Sequence, residues 1–217
     1  MKIILFGATG MVGQGVLREC LLDDGVEAVL AIGRSPTGQT HPKLRELLRK
    51  DLFDIREVRS DLQGYDACFF CLGVSAAGMS EPEYTRMTFD LTLEWARLLA
   101  EVNPAMSFVY VSGTGTGGKA MWAQVKKRTE DALLDLFPSA YMFRLGALRA
   151  AHGEVSKTRW TRIAYTYFRP LWPLVSMIAP GAMITTEELG RAMIRAARDG
   201  APKRVLENRD LRALGAR

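Results

Sequence analysis

Residues 2 to 6, Lys-Ile-Ile-Leu-Phe, run straight into Gly7-Ala8-Thr9-Gly10-Met11-Val12-Gly13, and no other stretch constrains the fold as strongly. A short apolar run that ends on glycine reads as a strand buried on both faces, and the residues after Gly10 read as a helix. Each glycine has its own reason to be there. The first permits the tight turn, the second lets a pyrophosphate come close to the backbone, and the third lets the helix pack on the strand; the helix N-terminus then faces the phosphates. The segment predicts a dinucleotide site made by Gly7, Thr9, Gly10, Met11, Val12 and Gly13. Its spacing is GxxGxxG rather than GxGxxG, and a glycine-rich turn without a ligand is the plain structural alternative.

Further strand-like runs at 28 to 32, 67 to 72 and 107 to 112 are almost continuously apolar, and helical segments lie between them. The segment 81 to 102 places Tyr84, Met87, Leu91, Trp95, Leu98 and Val102 at helical spacing. Ser80 with Glu83, and Thr185 with Glu188, have the capping-box pattern of a helix start. Strands that alternate with helices of this length predict one α/β domain over residues 1 to 217, with a doubly wound, mostly parallel sheet of Rossmann type. A length of 217 residues fits one such core. Residues 163 to 180 are rich in aromatic and leucine side chains and carry one charge, Arg169. Pro170 and Pro173 argue against a membrane span, so a short C-terminal cap or subunit contact is expected, with a membrane-surface patch as the alternative.

The second strand ends Ala31-Ile32-Gly33-Arg34-Ser35, where an NAD enzyme would place an acid on the ribose 2′-hydroxyl. Arg34 suits a 2′-phosphate instead, which points to NADP(H). A surface arginine in a loop is the alternative. Asp61 and Leu62, ahead of the fourth strand, are assigned to the adenine edge, and Leu72 and Gly73 close that strand beside the cofactor.

Other residues set limits. The net charge is +5, but no run of five basic residues marks a nucleic-acid surface. Cys20, Cys68 and Cys71 make an odd count that fits free thiols in a reducing cytoplasm. Cys68 and Cys71 are spaced like a redox or zinc pair, yet three residues apart on a strand they point to opposite faces. His41 and His152 have no ligating residue at metal spacing, so no metal is expected. Asp23 and Asp24 are read as a solvated helix end. The N-terminal apolar run stops after Phe6 and no basic leader precedes it, so it reads as a strand rather than a signal peptide, and a cytoplasmic location is expected.

The chain resembles the atypical short-chain dehydrogenase/reductase family, in the branch of small proteins similar to the Tat-interacting oxidoreductase. The resemblance rests on Gly7 to Gly13, Phe70-Cys71-Leu72-Gly73, Val111-Ser112-Gly113-Thr114, Trp122-Ala123-Gln124-Val125-Lys126 and Leu206-Glu207-Asn208. It implies a dinucleotide-binding sheet with a hydroxyl, a tyrosine and a lysine on the active side of the cofactor. Lys126 matches the lysine that anchors the nicotinamide ribose, and Ser112 and Thr114 match the hydroxyl that orients a substrate oxygen. Trp122 stands where the family has its proton-transferring tyrosine, and an indole N–H donates a hydrogen bond but does not exchange a proton near neutral pH. Arg144-Leu145-Gly146 occupies the place of Arg-Pro-Gly beside the nicotinamide. The resemblance implies an oxidoreductase or epimerase-like enzyme on a small-molecule substrate. The alternatives are a non-catalytic NADPH-binding sensor or interaction module and a membrane-surface protein; a homodimer fits any of these.

Overall fold

The computed structural model describes residues 1–153 and 183–216. Seven strands form one sheet: β1 (Lys2–Phe6), β2 (Ala28–Gly33), β3 (Leu44–Leu48), β4 (Ala67–Phe70), β5 (Ser107–Gly113), β6 (Ala140–Leu145) and β9 (Val205–Glu207). Their spatial order is β3-β2-β1-β4-β5-β6-β9, and every pairing is parallel. Strands β7 (Ala147–Arg149) and β8 (Met183–Thr185) form a separate parallel pair beyond the end of β6.

The strands are apolar at consecutive positions because both faces are covered. Ile3, Leu5, Val29, Ala31, Phe69, Val109 and Phe143 belong to one core. Their neighbours Ile4, Phe6, Leu30, Ile32, Phe70, Phe108, Tyr110 and Met142 belong to the other. The first core is closed by α1 (Met11–Leu22), α5 (Thr186–Asp199) and α6 (Asn208–Gly215) through Val16, Leu17, Leu189, Met193 and Leu211. The second is closed by α3 (Leu91–Val102) and α4 (Met121–Leu136) through Leu91, Trp95, Leu99 and Leu133. The doubly wound sheet expected from the sequence is the observed fold.

The helix read over 81 to 102 begins at Ser80 as expected. The Glu83 carboxylate accepts from the Ser80 N–H at 2.9 Å and from its hydroxyl at 2.6 Å. The helix is not uniform, because α2 (Glu81–Thr85) passes through a π-helical turn, Arg86–Asp90, before α3. The second capping box also forms, with the Thr185 hydroxyl accepting from the Glu188 N–H at 3.0 Å. The run at 67 to 72 is strand only as far as Phe70. Cys68 then packs in one core and Cys71 against the other, as the three-residue spacing on a strand predicts. The segment 163 to 180, read as a cap, lies outside the described residues.

The order of strands reverses between β1 and β4, so the carboxyl ends of these two neighbours open a crevice. Gly7 and Leu72 line it from either side.

Candidate functional site

Gly7 adopts φ +79°, a left-handed conformation that favours glycine. A β-carbon on Gly7 would lie 2.7 Å from the Cys71 carbonyl, and one on Gly13 would lie 2.1 Å from the Gly7 oxygen. Both glycines are therefore demanded by close backbone packing at the crevice. Gly10 differs: a β-carbon there would meet only the Gly7 oxygen, at 3.4 Å, and would otherwise enter open space. The turn is held by the Gly10 N–H donating to the Gly7 carbonyl at 2.9 Å and the Gln14 amide donating to the Thr9 carbonyl at 3.0 Å.

Helix α1 begins at Gly10 without a side-chain cap and without an acid in its first turn. Its N-terminal N–H groups and the positive end of its dipole thus face the crevice with no anionic side chain of the helix itself to satisfy them. An open backbone surface over Gly10 and an uncapped helix end fit a dinucleotide pyrophosphate, and a nicotinamide dinucleotide lying across the crevice is the group this arrangement can hold.

The crevice continues into an open cleft of about 490 Å³, its mouth included, between the glycine turn and the ends of β2 and β3. Gly7, Thr9, Arg34 and Leu72 of the expected cofactor residues line it together, whereas Gly10, Met11, Val12 and Gly13 of the same turn are not among its lining residues. Arg34 is exposed at its rim. Asp61 and Leu62 are not brought there: Leu62 is fully buried in the second core, and Asp61 lies beside Arg45 at 3.6 Å. Nor is Gly73 part of the lining, and a β-carbon on it would touch nothing. The lining also includes Glu46 and Leu48 of β3 and Leu52, which the sequence reading did not single out. Leu44-Arg-Glu-Leu-Leu48 carries neither alternation nor β-branched residues, so β3 gives no signal that would direct attention to them.

At the far end of the sheet, Ser112 and Thr114 part company. The Ser112 hydroxyl is buried and donates to Glu130 at 2.6 Å. Thr114 is exposed; its hydroxyl donates to the Arg144 carbonyl at 3.4 Å, and its N–H to the Leu145 carbonyl at 3.0 Å. Two hydroxyls two residues apart at the end of a strand therefore have different surroundings. Arg144 grips the buried Glu130 carboxylate, with N–O distances of 2.7 and 3.1 Å, and reaches Glu207 at 3.4 Å. This Ser112–Glu130–Arg144 triad was not legible, because it joins three separate elements. Gly146 follows, its N–H donating to the Asn208 amide oxygen at 2.9 Å; a β-carbon on it would lie 3.1 Å from the Thr114 hydroxyl. The motifs at 112 to 114, 144 to 146 and 206 to 208 thus converge.

Trp122 and Lys126 occupy the first turns of α4. The Trp122 ring lies over the turn after β5, its outer edge 3.5 Å from where a β-carbon on Gly115 would be. The Lys126 ammonium stands 5.3 Å above the Tyr110 ring. Burial against that ring lowers its pKa to about 8, opposed by Glu130 one turn along the helix. Among the described residues Lys126 makes no ion pair, since the nearby Glu130 carboxylate is held by Arg144. Tyr84 and Tyr110 are almost completely buried, and burial pushes both phenols above their usual range. Neither presents its hydroxyl to solvent as an acid.

The remaining singled-out residues have structural surroundings. The three cysteines are free, and burial raises all three thiols well above the ordinary range. The His41 ring accepts from the Lys43 N–H at 3.2 Å, and His152 lies 3.2 Å from Glu187. Asp23 accepts from Arg198 at 2.5 Å. Among the described residues no three metal-ligating side chains come together, and no helix is long and apolar enough to cross a membrane.

The sequence pattern of the NAD dependent epimerase/dehydratase family matches residues 3–139. Leucinostatins biosynthesis cluster protein T of Purpureocillium lilacinum is 30% identical over 141 residues, 63% of this chain and 52% of that protein. Protein FMP52, mitochondrial, of Chaetomium globosum is 25% identical over 150 residues, 65% of this chain and 63% of that protein. The matched region therefore spans between about half and just under two thirds of these relatives. Among solved structures, WbmH of Bordetella bronchiseptica in complex with NAD+ superimposes with a TM-score of 0.68 at 20% identity, covering 95% of this chain and 74% of that one. That likeness is one of fold. The glycine turn, the strand order and the family pattern agree, and the chain belongs to the NAD dependent epimerase/dehydratase family.

Proposed function

We propose that the chain binds NADP(H) across the β1/β4 crevice and acts as an oxidoreductase or epimerase-like enzyme on a small molecule. The observation that carries this reading is the uncapped start of α1 with open space over Gly10. When bound, the nicotinamide would supply or accept a hydride. Arg34, at the end of β2, offers the 2′-phosphate a guanidinium with two parallel donors. Lys126 would hold the nicotinamide ribose, and Thr114, exposed beside it in the chain's order of motifs, would orient a substrate oxygen. The Ser112 hydroxyl instead donates a hydrogen bond to Glu130 and serves to fix that carboxylate. Trp122 covers the place of a proton-transferring phenol and donates only a hydrogen bond. Three free thiols support a reducing compartment, the cytoplasm.

A second reading, a sensor that binds NADPH without turning it over, is favoured by the same Trp122 and by the commitment of Ser112 to Glu130. Cofactor titration tests what both readings share. NADPH is expected to bind more tightly than NADH, and Arg34→Ala to remove most of that preference, since a charged hydrogen bond contributes about 1.5–3 kcal/mol. Equal affinities in the wild type, or a preference untouched by Arg34→Ala, would contradict the assignment.

A further inference from the structure

The 2′ end of the cleft carries a second charged residue, of opposite sign to Arg34. Glu46 lies on β3 level with Ala31 of β2 and lines the same cleft. Its carboxylate accepts the Thr37 N–H at 2.6 Å, which ties the loop between β2 and β3 to the edge strand and fixes the carboxylate at the cleft wall. Among the described residues neither Glu46 nor Arg34 has an ion-pair partner, so each presents its charge to whatever enters. The sequence shows no acid at the end of β2, and the fold supplies one from the neighbouring strand.

We propose that Glu46 is a cofactor-discriminating residue: a fixed negative charge that opposes the 2′-phosphate attracted by Arg34 and accepts a hydrogen bond from a 2′-hydroxyl. The inference rests on the dinucleotide reading of the cleft. A 2′-phosphate brings about two negative charges near the carboxylate, and their repulsion works against the Arg34 contact. A ribose 2′-hydroxyl brings a donor that a carboxylate accepts, the role an acid at the end of β2 has in NAD-binding sheets. With both residues present, the chain holds its preference for NADPH within a narrow range and retains usable affinity for NADH.

The test is a pair of binding titrations, NADPH and NADH, against wild type, Glu46→Gln and Glu46→Ala. Glutamine keeps an acceptor for the Thr37 N–H and removes the charge. Glu46→Gln is expected to raise the NADPH-to-NADH affinity ratio on the order of tenfold, chiefly by tighter NADPH binding. Glu46→Ala also loses the loop tie, so both affinities should fall while the ratio moves the same way. An unchanged or lowered ratio in Glu46→Gln, with wild type binding both dinucleotides, overturns this inference alone. Failure of wild type to bind either dinucleotide overturns the cofactor reading and this inference together.

Discussion

Glu130 is 1% exposed, so a carboxylate there is tolerable only while Arg144 and Ser112 hold it. Removing one partner of a buried pair leaves an uncompensated charge. Arg144→Met is expected to cost about 3–5 kcal/mol, and Arg144→Met with Glu130→Gln to recover most of it; chemical denaturation of the two variants measures both. A double variant as unstable as the single one would show that the pair is not the reason. Among the described residues the same pairing leaves Lys126, over the Tyr110 ring, without an ion-pair partner, and burial lowers its pKa to about 8. Below that value the amine is protonated and can hold a ribose; above it the amine is free and nucleophilic. Acylation of Lys126 in the cofactor-free protein, followed by mass spectrometry across pH, should show a midpoint near 8 rather than near the ordinary 10.5. Releasing Glu130 with Arg144→Met should move that midpoint upward, because the freed carboxylate favours the charged amine. In the proposed function Trp122 stands where a proton-transferring tyrosine would. Positioned acid/base catalysis contributes about 10²- to 10⁴-fold, so wild type should oxidise NADPH slowly against a panel of aldehydes and ketones and Trp122→Tyr should be faster. Fast wild-type turnover that ignores Trp122 would place the proton donor elsewhere.

At the scale of elements, α1 is positioned by two close approaches of different kinds. Its first turn meets the backbone of the glycine loop at Gly13, and its middle meets α5, where a β-carbon on Gly15 would lie 2.4 Å from Thr186 and one on Gly190 would lie 2.7 Å from Glu19. A larger residue at Gly15 must push the helices apart, so Gly15→Leu is expected to destabilise by about 1–3 kcal/mol, read as a lower thermal midpoint. No change would mean that the crossing is loose. The first approach was legible in the sequence, since the glycine spacing and the flanking strand state it; the second was not, because Gly15 and Gly190 are far apart in the chain. For the same reason the helix over 81 to 102 could be read from its apolar spacing and its Ser80 cap, whereas its π-helical turn could not. Strand β3, with Leu-Arg-Glu-Leu-Leu at the sheet edge, has the composition of a helix and is a strand because its partner β2 offers a free edge. Missing β3 is what hid Glu46 and Leu48 from the site. Asp61 and Leu62 lie just ahead of β4 along the chain, which points to the site, but a 3₁₀ turn, Arg59–Leu62, carries Leu62 into the core instead.

For the molecule as a whole, the continuous apolar strands reported a sheet covered on both faces, and two cores on alternate strand residues are what that pattern means physically. The place of the cleft follows from topology. A parallel sheet whose order reverses between β1 and β4 must open at their carboxyl ends, and the glycine turn lies at that opening. The far end of the site was less legible, since its geometry depends on side chains from β5, α4, β6 and α6 that meet only in the folded chain. In the proposed function the open backbone surface at Gly10 receives the pyrophosphate. Gly10 has φ −85° and ψ 162°, a conformation open to any L-residue, so Gly10→Val should fold normally while its side chain fills the cradle. The direct measurement is calorimetric titration of NADPH into wild type and Gly10→Val, with thermal unfolding of both to show that the variant is folded. One saturable site in wild type that disappears in a folded Gly10→Val is the predicted result; no saturable binding in wild type, or binding that survives in the variant, would contradict it.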